Sequence, residues 1–326
     1  MKEKIITKKI LKWYDLNKRS LPWRKKVSTQ KKQYYTLISE FMLQQTQVTT
    51  VIPFFNRFIK NLPSIEFLAK VNEKKIIKLW EGLGYYSRAK NLKKTAKAII
   101  KNFDGKLPDN FDDLITLPGI GNYTANAILA IAFNKPYIPL DGNIERVLKR
   151  YLYLKKDKEI QKDNLIQKKI IFGTSLRSSD YAQALMELGA LICKPYKPIC
   201  YQCPISKNCK SFNKKDFSLT KIIKKNKDKY FILKVYKKNQ RYLLIKNTQF
   251  NFLKNLSIFP MFELTNPKNF NENLNFKMSN MNMNIKIQYS QDKQKFPSSY
   301  WVDKKKINNY MLPSFTKKIV QYLEKN

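Results

Sequence analysis

The sequence contains no histidine. This absence excludes catalysis by Ser–His or Cys–His pairs, zinc sites with histidine ligands and HExxH chemistry. Acid–base chemistry therefore falls to carboxylates, tyrosine or lysine. Acidic residues are also scarce, since 24 Asp and Glu stand against 64 Lys and Arg, for a net charge of +40. Such a charge favours a polyanion such as DNA or RNA as partner, although part of it matches the drift of an AT-rich coding sequence.

Long apolar runs are absent as well. The stretch 127–133 (AILAIAF) fits a buried helix and is far shorter than the ~18 residues that a membrane span needs. Lysines occur throughout 1–19, where a secretory signal would have an apolar core. We expect a cytoplasmic protein of the nucleoid with reduced thiols, no membrane partner and a monomeric chain.

Cysteines are few and clustered. The chain has four, and together they form the pattern C-x6-C-x2-C-x5-C: Cys193, Cys200, Cys203 and Cys209. Thiolates this close indicate one tetrahedral metal site or an iron–sulfur cluster. A zinc ribbon usually has two C-x2-C pairs, whereas here only Cys200 and Cys203 form one. The spacing alone leaves a [4Fe–4S] cluster and zinc open, with two disulfides as a third arrangement.

Apolar residues recur at helical spacing over most of 1–213, and strand-like alternation is nearly absent there. The sequence therefore predicts an all-α region. The expected helices are 8–17, 33–43, 48–59, 73–79, 89–100, 111–116, 122–133, 142–151 and 180–192.

The pattern changes after residue 213. The charged stretch 214–229 is typical of a linker. Beyond it, 230–246 alternates β-branched and aromatic residues around Asn239, which predicts a hairpin. Further strands are expected at 257–264 and 281–289, followed by a closing helix at 314–324. The region 230–326 is thus predicted to be an α+β domain.

Two short motifs combine turn residues with possible chemistry. The segment 117–125 (LPGIGNYTA) places Gly119 and Gly121 between two helices, where backbone amides could approach a DNA phosphate, as in a helix–hairpin–helix. A simple tight corner between helices has the same pattern. In 139–143 (PLDGN), Asp141 is either a site carboxylate or the N-cap of the next helix.

These motifs, in this order before the four cysteines, resemble the endonuclease III superfamily of DNA glycosylases. Within it, LPWR at 21–24, SEFMLQQTQV at 39–48 and WEGLGYYSRAKN at 80–91 resemble the adenine DNA glycosylase (MutY) family. The resemblance implies a DNA repair enzyme that hydrolyses the N-glycosidic bond of adenine mispaired with 8-oxoguanine or guanine and leaves an abasic site. Double-stranded DNA carrying such a mispair is the implied partner.

The resemblance also implies an architecture. A mostly α, two-part helix–hairpin–helix glycosylase region spans 1–213, with a six-helix module at about 31–135. Its terminal helices and the loop 193–209 hold one [4Fe–4S] cluster on the four cysteines. After the linker, 230–326 resembles a Nudix fold adapted to 8-oxoguanine recognition. The Nudix catalytic box GX5EX7RE is absent from this range, so we expect no hydrolysis of nucleoside triphosphates.

Glu40 is the expected acid. It lies in the apolar stretch 34–43, where burial raises a carboxyl pKa and keeps it protonated near neutrality. The alternative is an exposed helix glutamate. By resemblance, Glu40 protonates adenine N7, Asp141 stabilises or transiently traps the anomeric carbon, and Asn143 helps to orient the reacting groups.

Tyr123 distinguishes this chain from bifunctional relatives. Endonuclease III carries a nucleophilic lysine at this hairpin position, which forms a Schiff base and cuts the strand. Tyrosine cannot form an imine, and its neighbours Asn122 and Thr124 are not lysines. The sequence predicts a monofunctional glycosylase with little or no lyase activity, in which Tyr123 forms a hydrogen bond in the active site.

The resemblance further implies contacts to DNA. Gln45 and Tyr85 insert beside the opposite 8-oxoguanine, and Thr46 and Leu83 contact it. Three residues are expected to line the adenine pocket: Trp23, Arg24 and Gln183.

In the C-terminal domain, 278–280 is Met-Ser-Asn where relatives have Phe-Ser-His. Ser279 thus stays a candidate contact to 8-oxoguanine, whereas the histidine is missing.

Two other functions fit parts of the sequence. A related glycosylase acting on thymine or uracil mismatches can also carry tyrosine at position 123, but has no need of a Nudix-like domain. A DNA-binding module with a cluster and purely structural carboxylates is the other alternative.

Overall fold

The computed structural model describes residues 2–154, 176–218, 226–265, 267–278, 281–291, 296–310 and 312–325. Helices and strands are numbered here along these residues. The chain forms two compact units, each made of two segments. The first combines Met1–Glu73 with Ser87–Ile222, and the second combines Lys74–Tyr86 with Ile223–Asn326.

The first unit is built of helices, as predicted. They are α1 (Lys2–Asn17), α2 (Thr29–Leu43), α3 (Val48–Asn61), α4 (Ile65–Lys70), α6 (Ser87–Asn102), α7 (Phe111–Thr116), α8 (Asn122–Ile131), α9 (Gly142–Leu152), α10 (Ser178–Glu187) and α11 (Lys210–Asn213). A π-helical turn, Leu188–Ile192, continues α10. Helix α5 (Glu73–Leu79) leads into the second unit.

The apolar spacing located each predicted helix, with shifted ends in most of them. Helix α1 starts at Lys2 rather than at residue 8, and α10 changes to a π-helical turn at Leu188. The sequence missed α4, because its six residues are too few to show a helical period.

Helices α1, α9 and α10 share one hydrophobic core. Its members include Ile10, Tyr14, Ile144, Leu148 and Leu185, all buried. Cys193 and Cys203 pack against the same core, so it supports the cysteine loop as well.

Helix α2 is fixed at its C-terminal end by a buried arginine. Arg88 Nη1 donates hydrogen bonds to the carbonyl oxygens of Phe41, Met42 and Gln44 at 3.1, 2.7 and 2.6 Å. The last carbonyls of a helix have no partner within the helix, and a cation is favoured there. Arg88 therefore fixes the turn of helix that carries Glu40.

The turn between α7 and α8 packs closely against side chains of α2 and α6. Gly119 has φ +85°, and an added Cβ would come within 2.8 Å of Asn91 Cβ and 3.0 Å of Phe41 Cε1. Gln44 Nε2 donates to Gly119 O at 3.4 Å and to Thr124 Oγ1 at 3.3 Å. An added Cβ on Gly121 would meet nothing within 4 Å, so the backbone there is open to a ligand.

The C-terminal part of the second unit contains two sheets and a helix. Its elements are β1 (Lys227–Val235), β2 (Lys237–Lys238), β3 (Arg241–Lys246), β4 (Ser257–Ile258), β5 (Met261–Leu264), β6 (Leu274–Met278), β7 (Met281–Tyr289), β8 (Ser299–Asp303) and α12 (Ser314–Lys325). One sheet has the order β5-β1-β7-β6, in which β1 and β7 are parallel. The other has the order β2-β3-β4, and β8 also pairs with β3.

The predicted hairpin forms only at its tip. Lys238 pairs with Arg241 across Asn239, which has φ +52°. The longer arm β1 instead pairs with β5 and β7. Local alternation identifies a strand but not its partners, because those lie far away in the sequence.

Other strand predictions need correction. The expected strand 257–264 is divided into β4 and β5 around Phe259 and Pro260, because proline cannot donate a ladder hydrogen bond. Strands β6 and β8 were not predicted. Strand β1 begins at Lys227, inside the expected linker 214–229, where its first residues are exposed and show no apolar alternation.

The segment Lys74–Tyr86 also departs from the predicted division. The sequence placed it in the glycosylase region, whereas it clusters with the C-terminal residues. Within the described parts of the chain, every helix is too short or too polar to span a bilayer.

Candidate active site

A cavity of about 1210 Å³ opens in the first unit. Its wall combines the end of α2, the start of α8, the turn before α9 and one side of α10. Nine predicted residues line it: Trp23, Arg24, Glu40, Gln45, Thr46, Tyr123, Asp141, Asn143 and Gln183.

Glu40 is buried, with 4 % of its surface exposed. Burial raises its pKa from 4.5 to about 7, against the lowering effect of a hydrogen bond from Tyr123. The charge of Asp141 raises this pKa further, and that of Arg24 lowers it. The Tyr123 hydroxyl donates to Glu40 Oε2 at 3.1 Å. A carboxyl in this setting is half protonated near neutral pH, as a general acid requires.

Asp141 is the N-cap of α9 and also faces the cavity. Its Oδ1 accepts from the Ile144 backbone N–H at 2.7 Å, and its Oδ2 accepts from Asn143 Nδ2 at 2.9 Å. Burial raises the pKa of Asp141, while these hydrogen bonds lower it. The N-cap alternative was therefore correct, and it does not compete with a catalytic role, because each oxygen has a second lone pair.

Arg146 joins the Asp141 turn to the end of the π-helical turn. Its Nη2 donates to Asn143 Oδ1 at 2.7 Å and to Gly189 O at 2.8 Å. Its Nε donates to Cys193 O at 2.7 Å. A Cβ on Gly189 would lie 2.5 Å from Asn143 Cβ, so this close approach requires glycine. The orientation of Asn143 is thus tied to the start of the cysteine loop.

The deeper wall holds a buried carboxylate that the sequence analysis missed. Glu187 is 0 % exposed and accepts from Arg19 Nε at 2.8 Å and from Arg24 Nη1 at 2.7 Å. One carboxylate therefore balances part of the charge of two guanidinium groups, of which Arg24 acts electrostatically on Glu40. Glu187 follows Gln183 by one helical turn and stands among apolar residues, the same signal that identified Glu40.

The side chains of Gln183 and Trp23 each contact another residue of the first unit. Gln183 is buried, and its Nε2 donates to Ser179 O at 3.2 Å along its own helix. The ring of Trp23 meets Phe55 edge-on, with centroids 5.3 Å apart. Both side chains are therefore ordered in the cavity wall.

Gln45 and Tyr85 share an uncommon backbone conformation. Their φ angles are +56° and +47°, in the left-handed region that residues other than glycine, asparagine and aspartate seldom adopt. Gln45 is exposed at the cavity, and Tyr85 is 43 % exposed. Backbone strain of this kind occurs often at ligand contacts.

Other predicted residues lie elsewhere. Leu83 is buried and, like Tyr85, belongs to the second compact unit. Gly119 and Gly121 form the hairpin turn before α8. Ser279 falls outside the described residues.

The four cysteines are free thiols and half-buried. Burial, followed by the charges of Cys193 and Cys209, raises the pKa of Cys200. Arg150, 1 % exposed, donates to Cys193 Sγ at 3.5 Å and to Lys194 O at 2.7 Å. In the described ranges, no three Cys, Asp or Glu side chains come close enough to hold one metal ion.

The sequence of this chain matches the protein-family model of the HhH-GPD superfamily of base excision DNA repair proteins over residues 38–170. The adenine DNA glycosylase of Buchnera aphidicola subsp. Baizongia pistaciae is 43 % identical over 263 residues, which cover 78 % of this chain and 72 % of the relative. The human adenine DNA glycosylase is 37 % identical over 62 % of this chain and 38 % of its own length.

Solved structures support the same fold. A thermostable thymine-DNA glycosylase superposes with a TM-score of 0.58 at 28 % identity, over 65 % of this chain and 97 % of its own. An endonuclease III in a non-covalent DNA complex gives a TM-score of 0.54 at 22 % identity, over 66 % and 98 % of the two chains, and shows the fold alone. Given the Buchnera match over most of both sequences, the chain belongs to the adenine DNA glycosylase family within the HhH-GPD superfamily.

Proposed function

We propose that this chain removes adenine from DNA where adenine is mispaired with 8-oxoguanine or guanine, and that it leaves an abasic site. The observation that carries this proposal is the buried Glu40 carboxyl, which lines the same cavity as Asp141. The Buchnera and human relatives, both adenine DNA glycosylases, support adenine as the base removed.

The reaction needs one proton donor and one carboxylate. Glu40 in its protonated form gives its proton to the adenine, at N7 by the family resemblance. The bond between C1′ and the base nitrogen then breaks, and its electron pair leaves with the adenine. Because the sugar becomes cationic, the Asp141 carboxylate stabilises C1′. Water adds to C1′, and its proton returns to Glu40, so the enzyme regains its starting state.

The hydrogen bonds around Asp141 suit this role. The Ile144 amide and the Asn143 side chain hold both carboxylate oxygens in place. Arg146 fixes the Asn143 amide in turn. A preorganised carboxylate needs little rearrangement as positive charge develops on the sugar.

The adenine must leave the base stack to reach this cavity. Lysines at the cavity, among them Lys18, Lys25, Lys26 and Lys32, can neutralise DNA phosphates, and the open backbone at Gly121 can approach one. Trp23, Arg24 and Gln183 line the adenine pocket in this proposal. Four residues, Gln45, Thr46, Leu83 and Tyr85, contact the opposite base.

We also propose that 230–326 is a Nudix-like domain for 8-oxoguanine recognition, with Ser279 as a contact. Two sheets and the closing helix α12 are compatible with that assignment.

The four cysteines suit one [4Fe–4S] cluster. They are free and lie within one loop, and two of them, Cys193 and Cys203, pack against the same hydrophobic core. A cluster binds each thiolate to a different iron, which requires wider sulfur spacing than a single ion does. Bound iron would stabilise the thiolates and order the loop. The glycosylase steps above transfer no electron to or from a cluster.

A panel of four duplexes tests the substrate. They carry adenine opposite 8-oxoguanine, adenine opposite guanine, thymine opposite guanine and uracil opposite guanine, and are treated with alkali after incubation. We expect cleavage of the adenine strands alone. Cleavage of the thymine or uracil strands would instead support the related mismatch glycosylase, and binding without cleavage would support a DNA-binding module.

In the same assay, Glu40→Gln should lose about 10²–10⁴-fold in rate and keep DNA binding, since the amide cannot donate the acid proton. Glu73→Gln is the matched control, because Glu73 forms an exposed ion pair with Lys90. Unchanged turnover in Glu40→Gln would remove this residue from its role.

Strand cleavage tests the assignment of Tyr123. The unaltered chain should form no DNA adduct that borohydride can trap, whereas Tyr123→Lys should form one, since its amine can attack C1′. Asn122→Lys is the control, because it introduces the same charge at the preceding residue, which is exposed. Equal trapping by the two variants, or trapping by the unaltered chain, would contradict monofunctional chemistry.

Metal analysis tests the cofactor. Chain purified without oxygen should contain about four irons and about four acid-labile sulfides, and Cys203→Ala should lower both. The contrary result would be one zinc ion per chain and no sulfide in protein purified from iron-replete cells. It would show that the four cysteines form a zinc site and not a cluster.

A further inference from the structure

The segment 80–86 forms a tightly built turn. Trp80, fully buried, donates from Nε1 to Gly84 O at 3.1 Å, and the Gly82 N–H donates to the Tyr86 hydroxyl oxygen at 3.4 Å. Gly82, Gly84 and Tyr85 all have left-handed backbone, with φ +100°, +77° and +47°. Such a turn holds Leu83 and Tyr85 in one orientation, provided that its ends are fixed.

Glu81 in this turn has two cationic partners. Its Oε1 lies 2.7 Å from Lys317 Nζ, and its Oε2 lies 2.8 Å from Lys78 Nζ. The Glu81 side chain is 15 % exposed. The Lys317 side chain is 25 % exposed, so the pair is partly buried and is screened less than one on the open surface.

Lys317 is held by the core of the C-terminal domain. It lies on α12, where Phe315, Ile319 and Val320 are buried in that core. Thr316 Oγ1 donates to Ser257 O at 2.8 Å. Because α12 is fixed to the sheets in this way, the domain fold determines where the Lys317 side chain begins, and the ion pair with Glu81 determines where its ammonium group lies.

We propose that the Glu81–Lys317 ion pair makes the C-terminal domain a positioning element for the turn 80–86. The inference rests on the proposed function, in which Leu83 and Tyr85 contact the base opposite adenine. The domain would then act on specificity in two ways, through its own contact to 8-oxoguanine and through the geometry of this turn. Breaking the pair should weaken discrimination of the opposite base and leave bond cleavage at Glu40 nearly intact.

A charge swap tests this proposal in the full chain. Single-turnover rates on adenine opposite 8-oxoguanine and opposite guanine are measured for Lys317→Glu, Glu81→Lys and the double variant. Lys317→Glu should lower the ratio of the two rates by about three- to tenfold. The double variant should regain part of the ratio, because the exchanged side chains again place opposite charges at positions 81 and 317, while the lysine at position 81 also meets the like charge of Lys78.

Lys318→Glu is the matched control, since Lys318 is exposed on the same helix and the charge change is identical. It should leave the ratio unchanged. Lys317→Met, which keeps the apolar stem, replaces Lys317→Glu if thermal unfolding shows that the charge reversal misfolds. An equal loss in Lys317→Glu and Lys318→Glu, or no recovery in the double variant, would overturn the proposal.

Failure of the underlying function has a different signature. An unaltered chain that cleaves neither adenine substrate lacks the proposed function, and the inference fails with it. An unaltered chain that cleaves both at the same rate shows no discrimination for the ion pair to affect, and this result overturns the positioning role alone. A clear preference that survives Lys317→Glu and Lys317→Met overturns the positioning role alone.

Discussion

The burial of the Glu40 carboxyl is the constraint on which the proposed chemistry of the active-site cavity depends. Burial raises its pKa to about 7, against the hydrogen bond from Tyr123. A carboxyl left in water would already be ionised at neutral pH and could not give a proton to adenine. Arg24 opposes protonation of Glu40, and the buried Glu187 carboxylate offsets part of that charge. The charge of Glu187 in the cavity wall therefore favours the protonated form of Glu40 that the proposed mechanism requires.

The scaffold fixes the acid and the second carboxylate by separate means. Arg88 holds the end of α2 through three carbonyl oxygens, and Asp141 is held as the N-cap of α9. Arg146 connects the Asp141 turn, through Asn143, to Gly189 and Cys193. Both carboxyl groups are thus positioned by helix ends, where unpaired backbone groups provide strong hydrogen-bonding partners.

Sequence reasoning succeeded where the signal was local. Helical spacing located α2 and α8, and an acidic residue within an apolar run correctly predicted that Glu40 is buried. It failed where contacts join distant parts of the chain. The partners of β1, the Glu187 pair with Arg19 and Arg24, and the grouping of Lys74–Tyr86 with the C-terminal residues all depend on folding. Glu187 could have been found by the logic applied to Glu40, whereas the Glu81–Lys317 pair gives no sequence signal.

The pH dependence of single-turnover adenine removal tests the central role of Glu40 most directly. The proposed mechanism requires protonated Glu40 and ionised Asp141 together, so the rate should pass through a maximum, and its alkaline limb should centre at about 7. Tyr123→Phe removes a hydrogen bond that lowers the pKa of Glu40, so it should move this limb to higher pH. An alkaline limb centred at the ordinary glutamate value of 4.5, or its absence between about pH 5 and 9, would contradict the account.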